Sequence, residues 1–129
     1  MEYTKCATFS LLEEGILVVR LLENSDVDLE ESKQMQRKSL QMTSGKRFVS
    51  LIDARVKLNV TKESREWGST PEAQKNMIAQ AIVVTSLANK LVGNFIIQVH
   101  KPKAKTRMFS DESQAIAWLK DQLLLEQGN

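Results

Sequence analysis

The chain alternates short, densely apolar runs with longer stretches in which apolar residues recur every three or four positions. Ala7 to Leu12 and Ile16 to Leu22 are apolar runs separated only by Glu13-Glu14-Gly15. So brief a polar break predicts an antiparallel hairpin. The second run is apolar almost throughout, the pattern of a central strand. Asn24 to Asp28 is a polar stop. Asp28 with Glu31 three residues later predicts a capped helix start, with acids near the positive end of the dipole. This helix extends to about Met42 and ends at Ser44-Gly45. Its apolar stripe (Leu29, Met35, Leu40, Met42) is thin, which predicts the most exposed helix.

Phe48 to Asp53 is the third predicted strand. Ala54 to Val60 reads as irregular, and Thr61 caps a short helix through Trp67, closed by Gly68. Thr70-Pro71-Glu72 combines a capping hydroxyl, a proline at the first helical position and an acid in the first turn. Met77, Ala81, Val84, Ala88 and Leu91 follow at helical spacing, widened by Ile78, Ile82 and Leu87. One long, well-buried helix ending at Gly93 is expected. Phe95 to His100 is the fourth strand, and Arg107 to Phe109 a short extension or fifth strand. Asp111 with Gln114 opens a last helix presenting Ala115, Ile116, Trp118, Leu119 and Leu123. Strands alternating with helices predict an α/β fold with a mixed, mostly parallel sheet of four to five strands and right-handed crossovers.

Composition narrows this to one domain over residues 1–129. With 129 residues, 42% hydrophobic and 26% charged, the chain can bury a core without disulfides or metal. The net charge of +2, from 18 basic and 16 acidic residues, does not point to nucleic acid. A lone Cys6 makes no internal disulfide. The longest apolar runs, about seven residues, are far short of a membrane span, so no membrane insertion is expected. The first residues show no basic region followed by an apolar run, so a soluble cytoplasmic protein is expected.

Each long strand has one clean face and one mixed face. Leu17, Val19 and Leu21, Val49 and Leu51, and Phe95, Ile97 and Val99 are the clean sets, expected under helices lying mainly on one face of the sheet. Ile16, Val18, Ile52 and Ile96 stand among the alternates with Arg20, Ser50, Gln98 and His100. That mixed face, left wholly or partly open, is expected to be an association surface with Val18, Arg20, Ser50, Ile96, Gln98 and His100 at the contact. A homodimer is the simplest partner, because a two-fold interface lets one patch cover itself; another protein is the other expectation.

Candidate chemistry is sparse. His100 is the only histidine, and no Gly-x-Ser-x-Gly elbow accompanies it. One His and one Cys cannot build a His- or Cys-rich metal site, and the glycines are isolated rather than gathered into a phosphate loop. No catalytic set, cofactor or metal is expected, and the protein reads as a non-enzyme. Asp53 at the carboxyl end of the third strand, with Arg55 two residues on, is a candidate polar site, since ligands gather at that edge of open α/β sheets. It equally fits an Asp bonding its own loop. Lys101, Lys103, Lys105 and Arg107 alternate and form a candidate anion patch. The same cations, with Pro102, also suit an edge strand guarded against aggregation. Trp67 and Trp118 read as packing groups.

The second half carries a resemblance. Thr70-Pro71-Glu72-Ala73, the apolar segment Ala81 to Leu91, Gly93-Asn94-Phe95, His100-Lys101-Pro102-Lys103, Met108 to Glu112 and Ala117-Trp118-Leu119 together resemble the small bacterial SpoIIAA-like proteins. These are related to STAS domains and, in fold, to lipid-binding CRAL-TRIO domains. Residues 1–69 resemble them more loosely, through element order. The resemblance implies a SpoIIAA-like βα superhelix and a regulatory or protein-interaction role. Its CRAL-TRIO side implies an apolar ligand or lipid as the alternative. STAS regulators carry a phosphorylatable serine in an Asp-Ser-Ser-Gly turn. This chain lacks that tetrapeptide; after Asp53 it reads Ala54-Arg55-Val56-Lys57-Leu58-Asn59-Val60-Thr61-Lys62-Glu63-Ser64, with Thr61 and Ser64 the nearest hydroxyls.

Overall fold

A computed structural model describes residues 2–95 and 103–128. The expected hairpin is present: β2 (Ala7–Glu13) and β3 (Ile16–Leu21) pair antiparallel around Gly15, whose φ of 85° is readily reached only without a side chain. A two-residue strand, β1 (Glu2–Tyr3), extends the edge beside β2. From β3 onward the pairing is parallel, through β5 (Phe48–Asp53), β7 (Met77–Val83) and β8 (Lys105–Phe109). The sheet therefore has six strands in the order β1-β2-β3-β5-β7-β8, mixed and mainly parallel, against the four to five expected. The segment expected to be irregular holds β6 (Leu58–Val60), which pairs with β4 (Ser25–Val27) in a small separate sheet.

Three helix starts follow their capping chemistry. Asp28 accepts from the Glu31 N–H at 2.8 Å and opens α1 (Leu29–Met42). Glu31 does not reciprocate; its carboxylate takes the Cys6 N–H at 3.0 Å instead, tying α1 to the first strands. Thr61 caps α2 (Lys62–Gly68), and Asp111 caps α4 (Glu112–Gln127).

The long helix expected from Thr70 to Gly93 is not formed. Its start is genuine chemistry: Thr70 Oγ1 accepts from the Ala73 N–H at 3.2 Å. The turn dies within one winding, at Asn76 with φ 65°. The chain then runs as strand β7, and only Leu87–Phe95 is helical, as α3. The run Met-Ile-Ala-Gln-Ala-Ile-Val fits either period. A strand between two parallel neighbours is covered on both faces, and it resembles a fully apolar helix segment. Length and β-branching were the better guides: a run of seven rich in Ile and Val suits a strand. The expected fourth strand is displaced too. Phe95 belongs to α3, and Ile96, Gln98 and His100 lie outside the described residues.

Register settles the two faces. Leu17 opposes Ser50, and Val18 opposes Leu51. Val18 and Ser50 therefore point to opposite sides, and the mixed face proposed from sequence joined strands in the wrong phase. On one side, Ile16, Val18, Val49, Leu51, Ala79, Ala81 and Val83 pack against Ala115 and Leu119 of α4. The alanines on both partners let this helix approach closely. On the other side, Phe9, Leu17, Val19 and Phe48 meet Met35, Leu40 and Met42 of α1. α2 packs on α1, and the α3 backbone at Gly93 abuts Met108, which points away from the Phe109 side. Helices thus lie mainly on one face, as expected, but the opposite face is not open: α4 covers it. Val18 and Ser50 are both buried, so neither belongs to an exposed association surface.

Candidate functional site

Four parallel strands end at the same edge, and charged side chains converge there. Arg20 and Asp53 occupy facing register positions at the ends of β3 and β5. The chain leaves β8 at Phe109 and enters α4 through Asp111, so Glu112 arrives at the same edge. Arg20 Nη1 lies 2.8 Å from Asp53 Oδ2 and 2.7 Å from Glu112 Oε1, and Nη2 reaches Glu112 Oε2 at 3.2 Å. Arg55 folds back onto Asp53 through Nε at 2.9 Å and Nη2 at 3.0 Å, and donates to Glu112 Oε1 at 2.8 Å. The Arg55 backbone N–H also donates to Asp53, at 3.2 Å. Asp53 thus closes its own loop through Arg55 and also pairs with Arg20 from the end of β3.

Two guanidinium groups and two carboxylates balance to zero. The Asp53 side chain is only 14% exposed, yet Arg55 first and Arg20 second hold its carboxyl down to about 2. Glu112 is also held below the usual carboxylate value, chiefly by Arg20. Both arginines are held further above their ordinary values by the same bonds. Neither acid is poised to exchange a proton near neutral pH, which is what acid–base work requires. The quartet is a charge clamp joining β3, β5 and α4.

α3 stands beside this clamp. Asn89 Nδ2 donates to the carbonyls of Ala54 and Val56 at 3.0 and 3.2 Å, bracketing the loop that carries Arg55. Leu87 and Leu91, one helical turn apart, are 72% and 61% exposed. Sequence reasoning placed both on the buried stripe of a long helix; the early start of β7 rotates them outward.

Among the other candidates, Lys105 and Arg107 are exposed on one face of edge strand β8, with the Arg107 guanidinium 4.9 Å over the Phe109 ring. Lys103 is exposed just before them, and Lys101 lies outside the described residues. Ala104 between them is pinned, its N–H donating to Gln74 Oε1 at 2.7 Å. Thr61 Oγ1 is occupied by the Ser64 N–H at 3.2 Å, and buried Ser64 bonds the Ser32 hydroxyl. Among the described residues no group of three His, Cys, Asp or Glu residues fits a metal ion, and no helix is long and apolar enough to cross a membrane. Glu112 was missed in the sequence; its only signal was its place just after a capping Asp.

This architecture is shared. A family model described as a domain of unknown function, DUF7793, matches residues 10–123. An uncharacterised protein of the DUF3478 family from Shewanella loihica PV-4, with a SpoIIAA-like fold, superposes with a TM-score of 0.64 at 15% identity, over 92% of this chain and 98% of that one. The anti-sigma factor antagonist SpoIIAA in its unphosphorylated form gives 0.55 at 12% identity, over 88% and 97% of the two chains. The Bacillus cell fate determinant SpoIIAA in its phosphorylated form gives 0.51 at 13% identity, over 87% and 97%. No curated protein matches the sequence. At these identities the likeness is one of fold: the chain has a SpoIIAA-like fold, as its residues led us to expect.

Proposed function

The chain belongs to the DUF7793 family, a domain of unknown function, and from that premise we propose that it is a non-enzymatic, cytoplasmic regulatory module that works by docking a protein partner. The observation that carries this reading is the pair Leu87 and Leu91, exposed one turn apart on a helix that Asn89 ties to the loop carrying Arg55. Large apolar side chains left side by side in solvent are the kind of surface that a protein partner covers. The solved structure of an anti-sigma factor antagonist with this fold supports a regulatory role.

The partner is a second copy of this chain or another protein. The homodimer expected from the sequence, if it forms, uses the α3 surface and not Val18 or Ser50.

A photo-crosslinking amino acid placed at position 87 tests the proposal in cells of the source species. The expected result is one adduct of defined mass that disappears with Leu91→Asp and is absent when the crosslinker sits at Glu63. Sedimentation of the purified chain then tells whether the adduct is a second copy. Equal, diffuse labelling from both positions would remove the α3 surface as a docking site.

A further inference from the structure

The adjacent parallel strands β5, β7 and β8 are each entered through a cation. Arg47 directly precedes β5, Lys75 comes two residues before β7, and Lys103 two residues before β8. All three line one open cleft of about 210 Å³ at the amino edge of these strands, the edge away from the charge clamp. Pro71, Met77 and Ile78 give the cleft apolar surface, and no acidic residue lines it.

The strand entries are tied to one another, so the cations stand on fixed backbone. The Phe48 N–H donates to the Asn76 carbonyl at 2.9 Å, and Asn76 Nδ2 to the Gly45 carbonyl at 3.1 Å. Buried Gln74 accepts from the Ala104 N–H at 2.7 Å and donates to the Gly68 carbonyl at 3.2 Å. Lys75 and Lys103 make no ion pair among the described residues. Arg47 meets Glu126 through Nε at 2.6 Å, which leaves both terminal nitrogens of its guanidinium uncommitted. Like charges gathered on one cleft repel, and an anion placed among them relieves that repulsion.

We propose that this cleft binds a phosphate group, free or esterified to a small organic body, through Arg47, Lys75 and Lys103. Charge and donor geometry agree on the class. Glu126 balances one of the three cations, and the two that remain match a phosphate dianion. The guanidinium fork offers parallel bonds to phosphate oxygens, and the lysines add point charges from the neighbouring strand entries. Pro71, Met77 and Ile78 offer the organic part of an ester an apolar footing. The site shares no residue with the α3 surface, so its test and the docking test can fail separately.

The test is titration of the full chain, followed by amide nuclear magnetic resonance at about pH 7.5, where phosphate is mostly dianionic. Ionic strength is held constant, and the probes are inorganic phosphate and phenyl phosphate. Both should move the Lys75, Asn76 and Ala104 amide signals saturably. Tighter binding of phenyl phosphate identifies the ligand as an ester; equal or weaker binding identifies it as free phosphate. Lys75→Gln and Lys103→Gln should each weaken binding about three- to five-fold. Lys57→Gln removes the same charge beyond the carboxyl end of β5 and should leave binding unchanged. All three lysines are exposed, so the variants should keep the fold, which their amide spectra check. No saturable shift, the same shifts with sodium chloride at matched ionic strength, or equal weakening by Lys57→Gln would overturn the proposal.

Discussion

Arg20 and Glu112 stand 92 positions apart in the chain, yet meet through two parallel bonds of 2.7 and 3.2 Å. The fork of a guanidinium matches the two oxygens of a carboxylate, so the pair fixes orientation as well as distance. It fastens the last helix to the third strand at the carboxyl edge of the parallel strands. Because the Arg20 side chain is 43% exposed, solvent screens much of the attraction.

We expect the Arg20–Glu112 coupling to be modest and measurable. A double-mutant cycle with Arg20→Met and Glu112→Gln should give a coupling of about 0.5–1 kcal/mol in urea unfolding. A coupling indistinguishable from zero would mean that the two groups are held by the backbone alone.

Acid should weaken the fold through the same clamp. The Asp53 carboxyl sits at about 2, below its ordinary value of 3.8, and Glu112 is shifted the same way. A carboxylate depressed in the folded state stabilises it above the unfolded pKa. That stabilisation is lost as pH falls through the folded one. The urea midpoint of the wild type should therefore drop between about pH 4 and pH 2, more steeply than that of Asp53→Asn. Identical acid slopes for the two proteins would contradict the geometry.

Packing under α4 should be unforgiving. Leu119 is fully buried, whereas Leu124, one turn and a residue later, is 65% exposed. Leu119→Ala should cost about 2–5 kcal/mol, and Leu124→Ala within about 0.5 kcal/mol of nothing. Chemical denaturation of both variants reads this directly; equal losses would place α4 in the wrong rotation.

Val18→Asp should fail to fold rather than alter association. Val18 is 5% exposed and packed among Ile16, Leu51 and the alanines beneath α4. A carboxylate there has no partner and no water. Circular dichroism of the purified variant checks it: a native-like spectrum with wild-type melting would return Val18 to the surface.

Much of the framework was legible because it depends on neighbours in the chain. Glu13-Glu14-Gly15 allows only a tight hairpin turn, and Asp28, Thr61 and Asp111 cap the helices that follow them. Capping and turn chemistry act over two to four residues, so a single sequence carries them in full. Asp53 and Arg55 were recognisable for the same reason: their bonds span two positions.

What the sequence by itself determined, then, was the hairpin, the strand Phe48–Asp53, the capped helix starts and a mostly parallel association; the two- and three-residue strands β1, β4 and β6 are too short to show a period. Only the tertiary structure decided that Met77–Val83 is a strand, because its apolar residues satisfy both periods until two neighbouring strands claim its backbone. It also decided which face Ser50 shares, that Leu87 and Leu91 turn outward, and that Glu112 completes the clamp. Each of these depends on register between segments distant in the chain. A shift of one residue in register reverses every side chain on a strand, and the order of residues along one strand does not encode that choice.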